Sequence, residues 1–160
     1  MKTIALVAAV AAVVLSACSA NENEENLKIE SVNALYLRGE MNDYAVSETY
    51  RLRESADGLC TQATLRSDWS PYKFKFADAS WSQGQNFGYL NPPGALRLHA
   101  APQKLNPNSH FEDLRFYPEK DGVYRFCLLK KSDGFYATVT LEKQSAIKPL
   151  LSEITASLSK

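Results

Sequence analysis

The strongest constraint on the fold is a series of short segments, between about Leu35 and Leu141, in which apolar and polar side chains alternate. Within Tyr72–Phe76, for example, three aromatic residues alternate with two lysines. A period of two is typical of a β-strand with one buried face, because successive side chains of a strand point to opposite sides. Gly, Pro, Asn and Asp separate the segments, and glycine supplies the positive φ that tight turns require. The pattern predicts an all-β protein, either a sandwich or a barrel.

The same alternation assigns residues to the core. Side chains on the apolar face of each segment are expected to point inward, so Lys73 and Lys75 share the outer face of their strand. The expected inward set comprises Leu35, Leu37, Tyr72, Phe74, Phe76, Tyr124, Phe126, Leu128, Phe135, Ala137, Val139 and Leu141.

The N-terminus follows a different pattern. Every side chain from Ile4 to Leu15 is Ala, Val, Leu or Ile, and this run is shorter than the ~20 residues that cross a bilayer as a helix. The segment Leu15–Cys18 resembles the bacterial lipobox, in which an apolar residue and two small residues precede a cysteine that accepts diacylglycerol. The resemblance implies that residues 1–17 are a signal peptide and that Cys18 is lipidated. Ser19 follows, as in lipoproteins sorted to the outer membrane, so we expect a lipid-anchored protein of the cell envelope.

Residues 18–33 are expected to form a flexible tether. Ser19–Asn26 is polar and acidic and has no large apolar side chain, so it cannot bury enough surface to repay the entropy of ordering it. The whole chain has 18 basic and 18 acidic residues, and loss of the signal peptide removes only the charge of Lys2. Near neutrality gives no electrostatic reason to expect nucleic acid as a partner. The acyl chains on Cys18 are expected to provide the contact with the membrane.

Two cysteines remain once Cys18 is lipidated. An even pair in an exported protein usually forms a disulfide. The alternation places Cys60 and Cys127 on outward faces, which favours a bridge between neighbouring strands of one sheet, on its outer side. Two free thiols are the alternative.

The period changes near the C-terminus, in residues 143–160. Pro149 suits the first position of a helix, and apolar side chains then recur along one helical face. These are Leu150, Leu151, Ile154 and Leu158. We expect a short amphipathic helix that packs on the protein's own sandwich, and a helix that binds a partner is the alternative.

No motif for catalysis or for a cofactor is present. The sequence lacks a Gly-x-Ser-x-Gly elbow, a Gly-rich phosphate loop and a His-Glu-x-x-His motif. His99 and His110 are separated by a Pro- and Asn-rich stretch without the spacing of a metal site, so we expect ordinary loop histidines. The sequence therefore favours a binding protein over an enzyme, with no metal and no cofactor.

Four segments, in order, resemble one known family. Leu35–Tyr44 resembles the opening strand of the early-set, immunoglobulin-like carbohydrate-binding modules attached to pullulanases, branching enzymes and glycogen-sensing kinase subunits. Those modules typically have the motif apolar-x-apolar-x-Gly-x-Met/Phe-Asn-x-Trp, and Tyr44 stands here at the position of the Trp. The other matching segments are Asp57–Leu65, Tyr72–Trp81 and Asp121–Phe126. The resemblance implies an immunoglobulin-like β-sandwich over residues 34–142.

The resemblance also implies a binding site. In that family an aromatic residue after the first strand, a lysine of the middle strand and a following tryptophan grip an α-glucan, with an asparagine from a later loop. A flat ring can stack on the apolar face of glucose, while Lys and Asn bond its hydroxyl groups. The matching positions are Tyr44, Lys75 (or Lys73, on the same face) and Trp81, with Asn108, then Asn106, as candidates for the asparagine. Trp69 and Tyr89 are further candidates for the rim.

These resemblances together imply a lipid-anchored, non-catalytic α-glucan-binding protein at the outer membrane. The alternative belongs to a different class of function. It is a structural or assembly lipoprotein that uses the fold to dock another envelope protein.

Overall fold

The structure, a computed structural model, describes residue 29 and residues 33–144. The described chain is an all-β sandwich, as the alternation predicts, and its only helical elements are three single 3₁₀ turns. These turns are Glu40–Asn42, Glu48–Tyr50 and Ser67–Trp69. The predicted signal peptide, Cys18 and most of the predicted tether lie outside the described residues.

Ten strands make up the fold. They are β1 (Tyr36–Gly39), β2 (Arg53–Ser55), β3 (Gly58–Leu65), β4 (Tyr72–Ala77), β5 (Asn86–Tyr89), β6 (Ala95–Leu96), β7 (Gln103–Asn106), β8 (Leu114–Phe116), β9 (Gly122–Lys131) and β10 (Gly134–Gln144). All pairings are antiparallel except that of β6 with β8.

The strands form two layers. One layer has the order β2-β3-β9-β10-β7, and the other is built around β4, with β1 on one side and β8 and then β6 on the other. Strand β5 belongs to both layers, because its first half pairs with β4 and its second half pairs with β7. The predicted site residues are grouped around β4, because Lys75 lies on this strand, and Tyr44 and Trp81 lie in the loops after β1 and β4.

Aromatic rings join the two layers in the core. Phe74 of β4 contacts Phe126 of β9 with ring centroids 5.0 Å apart, and Phe116 of β8 contacts both Tyr124 and Phe126. All three contacts are close to perpendicular, the edge-to-face arrangement that aromatic pairs prefer. These side chains are fully buried, so the alternation identified the centre of the core correctly.

Strand β1 approaches β4 closely at one glycine. A Cβ atom on Gly39 would lie 2.6 Å from the Cβ of Phe74 and would also meet the carbonyl oxygen of Lys73. The φ of Gly39 is −175°, an extended value open to any residue, so lack of space excludes a side chain here. The glycine of the Gly-x-Met-Asn motif thus allows β1 to lie flat against β4 where the chain turns toward Tyr44.

The predicted disulfide is present between the two cysteines that the alternation places on outward strand faces. Cys60 of β3 and Cys127 of β9 are directly opposed in neighbouring antiparallel strands, with Cα atoms 4.2 Å apart. The bridge joins neighbouring strands of one sheet, and neither cysteine belongs to the core cluster, whereas Phe126 and Leu128 on either side of Cys127 do. The alternative of two free thiols is therefore wrong.

Two details of the C-terminal strand differ from expectation. Leu141, expected to point inward, is 36% exposed. A register shift between Leu141 and Lys143 interrupts the alternation there. Strand β10 then continues through Gln144, and the rest of the helix predicted for 143–160 lies outside the described residues. Within the part of the chain that the structure describes, no helix has the length and hydropathy needed to cross a membrane.

The disulfide should contribute strongly to stability because it links strands 67 residues apart in sequence. In the chain-entropy model, a double Cys60→Ala/Cys127→Ala variant should lose about 4 kcal/mol of unfolding free energy. Urea denaturation measures the difference. A reducing agent should destabilise the native protein by a similar amount and leave the double variant unchanged. Alkylation of both cysteines in unfolded, unreduced protein would contradict the bridge.

Candidate functional site

A cavity of about 410 Å³ lies on the outer face of the layer built around β4. Three of the residues predicted from the sequence line it together. The lining consists of Tyr44, Lys75, Trp81, Asn86, His110, Phe111 and Asp113. The volume falls in the usual range for small-molecule sites.

Lys75 forms the floor of the cavity. Its side chain is 2% exposed, and its Nζ donates a hydrogen bond of 2.6 Å to the carbonyl oxygen of His110. The Nζ also lies 3.8 Å from an Oδ atom of Asp113. Burial lowers the pKa of Lys75, against the opposing effects of Asp113 and Glu112. The alternation placed this lysine on the outer face of its strand, and there the loops around β4 cover it, so that it supports the cavity from below.

Tyr44 reaches the cavity through a tight turn after β1. The side chain of Asn42 closes this turn, because its Oδ1 accepts from the Gly39 amide and its Nδ2 donates to the carbonyl oxygen of Leu37. Asp43 and Tyr44 follow with φ values of 51° and 57°, a left-handed conformation that is unfavourable for residues other than glycine. The amide of Tyr44 donates back to the carbonyl oxygen of Gly39 at 2.9 Å, which holds the turn.

The Tyr44 hydroxyl is anchored within the site. It donates a hydrogen bond of 2.8 Å to Asp113, the residue that precedes β8. Burial raises the pKa of Tyr44, and the hydrogen bond to the Asp113 carboxylate raises it further. The tyrosine ring is therefore fixed at both its backbone and its hydroxyl end.

Trp81 lies in the loop after β4, which Asp78 organises. The buried Asp78 carboxylate accepts hydrogen bonds from the amides of Ser80 and Ser82 and from the side chain of Asn33. Burial opposes ionisation of Asp78, but these hydrogen bonds outweigh it and lower the pKa of the carboxyl group. Trp81 has a φ of 57°, and its side chain remains 37% exposed at the cavity.

The loop before β8 supplies the third wall. The Glu112 carboxylate accepts hydrogen bonds from the Ser109 hydroxyl and from the amides of His110 and Phe111, at 2.7–3.0 Å. These contacts lower the pKa of Glu112 to about 2. A single side chain thus fixes the backbone from which His110 and Phe111 project.

Phe111 is the most exposed large apolar side chain of the described chain, at 94%. Burying a phenylalanine ordinarily contributes about 1.5–3 kcal/mol to folding, and Phe111 contributes almost none of this. An ordered loop that holds an apolar ring in water at the rim of a cavity leaves that ring available to a ligand.

A second depression of about 290 Å³ adjoins the first. The two share Trp81, Asn86 and His110, and the second also includes Asn108. The Oδ1 of Asn108 accepts from the Gly84 amide at 2.8 Å, and the Asn108 amide donates to the side chain of Asn106. Asn108, the first candidate for the site asparagine, therefore lies beside the aromatic cavity, and Asn106 supports its loop.

Three other candidates lie elsewhere. Trp69 is 66% exposed at the end of β4 opposite Trp81, with the Arg66 guanidinium 5.2 Å from its ring centroid. Tyr89, at the far end of β5, packs on the core and against Gly94. Lys73 lies beside Glu40, so Lys75 is the lysine of the cavity.

Several residues at the site were not predicted from the sequence. Phe111 and Asp113 are not among the predicted site residues, and the sequence predicts His110 to be an ordinary loop residue, yet all three line the cavity. Arg38 was also missed, although it is buried beside Lys75 across the β1–β4 pairing and stacks on Trp81. The sequence feature that could have indicated this part of the site is the adjacent pair His110-Phe111, which lies in an otherwise polar loop. Among the described residues, no group of three or more His, Cys, Asp or Glu side chains could hold a metal ion.

The contacts of Glu112 predict that the conformation of the loop before β8 depends on pH. Because its pKa is lowered from 4.5 to about 2 in the fold, the stabilising effect of this carboxylate is complete above pH 4.5. It is lost as the pH falls toward 2. In two-dimensional NMR, the amide resonances of His110 and Phe111 should shift with a midpoint near pH 2. The shifts should disappear in Glu112→Gln, and a midpoint near 4.5 in the native protein would argue against these hydrogen bonds.

Comparison of the chain with protein-family models found no match, and comparison with curated proteins found none. Among solved structures, one described as "Ligand induced structure of AmyP-SBD" is similar to this chain at 14% sequence identity. The similarity covers 86% of this chain and 94% of that chain, with a TM-score of 0.47.

Proposed function

We propose that the cavity binds an α-glucan and that the protein catalyses no reaction on it. One observation carries the proposal: the rings of Tyr44, Trp81 and Phe111 come from three different loops and line one cavity. Each ring lies in a loop whose backbone amides donate its own hydrogen bonds, from Tyr44 to a carbonyl oxygen and in the other two loops to the carboxylates of Asp78 and Glu112. Three separately supported aromatic residues around one opening form a site for a ligand with flat apolar faces.

Sugars have this combination of surfaces. The C–H groups of a glucose unit form an apolar face that stacks on an aromatic ring, and its hydroxyl groups need hydrogen-bonding partners. The carboxylate of Asp113, with 26% of its side chain exposed, and the exposed ring of His110 provide polar partners between the aromatic residues. The walls therefore match both surfaces of a hexose.

The charges at the site favour a neutral ligand. The Lys75 ammonium and the Asp113 carboxylate lie 3.8 Å apart and largely offset each other. The Glu112 carboxylate is occupied by its own loop. A sugar acid or a phosphorylated sugar would find no unmatched positive charge on these walls, whereas a neutral glucan requires none.

The resemblance of Leu35–Leu141 to glycogen- and starch-binding modules supports an α-glucan rather than another neutral polysaccharide. Tyr44, Lys75 and Trp81, the positions that carry the family's roles, line the same cavity. Binding is favoured over hydrolysis because glycosidases ordinarily use two carboxyl groups. Asp113 is the single carboxylic acid among the described wall residues, and it is held by Tyr44 and Lys75.

Calorimetry of the purified full-length protein with maltoheptaose and glycogen tests this proposal. Removal of one stacking ring in Trp81→Ala or Phe111→Ala should cost on the order of 1–3 kcal/mol of binding free energy, about 5- to 150-fold in Kd. Trp69→Ala is the matched control, since it removes an exposed tryptophan outside the cavity. It should leave Kd unchanged.

Two results would contradict the proposal. Folded native protein that binds no α-glucan would exclude it, and would leave docking of another envelope protein through the exposed Phe111 as the better account. Equal losses of affinity in Trp69→Ala and Trp81→Ala would place the binding surface elsewhere on the molecule.

We also propose that the protein is lipid-anchored in the cell envelope, at the outer membrane, on the basis of the lipobox that ends at Cys18. The Cys18→Ser variant should lose incorporation of labelled fatty acid and leave the membrane fraction, because no thiol is then available to accept lipid. Cys60→Ala/Cys127→Ala, which retains Cys18, should still be labelled. Labelling that persists in Cys18→Ser would contradict the anchor.

A further inference from the structure

Arg38 is buried on the outer face of β1, at the position that pairs with Lys75 of β4. It is 8% exposed. A guanidinium group is costly to bury unless its donors are satisfied, so its contacts indicate what it does. They lead to both loops that carry the predicted aromatic residues.

The first set of contacts reaches the loop of Tyr44. The Nε of Arg38 donates a hydrogen bond of 2.8 Å to the carbonyl oxygen of Tyr44. Tyr44 and the preceding Asp43 both have a positive φ, a conformation that persists only where the surroundings hold it. Arg38 therefore donates its hydrogen bond to the backbone of the turn at one of the two residues whose conformation is unfavourable.

The second set reaches the loop of Trp81. One terminal nitrogen of Arg38 donates to the carbonyl oxygens of Asp78 and Ala79, at 2.9 and 3.2 Å. The guanidinium carbon lies 3.6 Å from the centroid of the Trp81 ring, a close cation–π stack. Trp81, like Tyr44, has a positive φ, so one arginine supports both strained loops.

We propose that Arg38 is a positioning residue that holds the Tyr44 and Trp81 loops in a fixed relation and decides which face of Trp81 meets the ligand. The guanidinium covers one face of the indole, so a sugar can stack only on the opposite face. The inference rests on the proposed glucan site, and its structural part can be tested without any ligand.

A lysine cannot replace this arginine. The guanidinium is a planar fork with five N–H donors and can stack on an aromatic ring while its edge donates hydrogen bonds. A lysine ammonium retains the positive charge beside Asp78 but cannot reach both loops and cover the indole face. Arg38→Lys therefore separates the charge of Arg38 from its geometry.

The test combines fluorescence and binding. The chain has two tryptophans, so a Trp69→Phe background leaves Trp81 as the sole tryptophan reporter. In this background Arg38→Lys should increase acrylamide quenching of Trp81 in the absence of ligand, because the covered face becomes accessible. It should also weaken maltoheptaose binding on the order of tenfold, since the rings are no longer preorganised.

Arg66→Met is the matched control, because it removes an arginine stacked on the other tryptophan, Trp69, outside the cavity. It should leave maltoheptaose affinity unchanged. Circular dichroism establishes whether each variant is folded. If Arg38→Lys does not fold, Arg38→Gln serves as the second variant.

The outcomes separate this inference from the proposed function. Folded Arg38 variants with native quenching of Trp81 and native affinity would overturn the positioning role. A change in quenching in a protein that binds no glucan would support the role of Arg38 in the loops and contradict the glucan site. A lower melting temperature with unchanged quenching would show that Arg38 only stabilises the fold, and would also overturn the inference.

Discussion

The edge-to-face contacts among Phe74, Phe116 and Phe126 are the interaction on which the remaining structure depends. They join the two layers at their centre and fix β4 by its inner side chains. With one face of β4 committed to the core, its other face can carry polar residues without weakening the sandwich. The cavity is built on that outer face, so the aromatic core is the rigid base of the site.

Side chains bonded to the backbone shape the loops above this base. Asn42, Asp78 and Glu112 each close one loop by accepting hydrogen bonds from amides one to four residues away. Arg38 then connects two of these loops. Amides that the sheet leaves unpaired are thereby satisfied, and the rings of Tyr44, Trp81 and Phe111 are held without being buried. Local hydrogen bonds thus orient the residues that line the cavity, while apolar packing maintains the fold.

The sequence predicted the parts of the molecule that depend on local patterns. Alternation identified β4 and its aromatic core residues, and strand parity identified the Cys60–Cys127 bridge. The resemblance selected Tyr44, Lys75 and Trp81, which the fold brings together. The burial of Lys75 could not be predicted, because the loops that cover it come from distant positions in the chain. The same reason explains why Phe111 was missed and Trp69 was included: both are exposed aromatic residues of loops, and the sequence does not show which end of β4 each one reaches.

Strand β5 has a consequence for how the domain unfolds. Phe87 and Asn86 pair with β4 in one layer, and Gly88 and Tyr89 pair with β7 in the other. Four consecutive residues therefore carry hydrogen bonds to both halves of the sandwich. Neither half can detach while β5 remains paired, and loss of β5 opens both halves at once. We therefore expect the two layers to unfold as a single cooperative unit, so that the strand framework beneath the cavity is lost only when the whole domain unfolds.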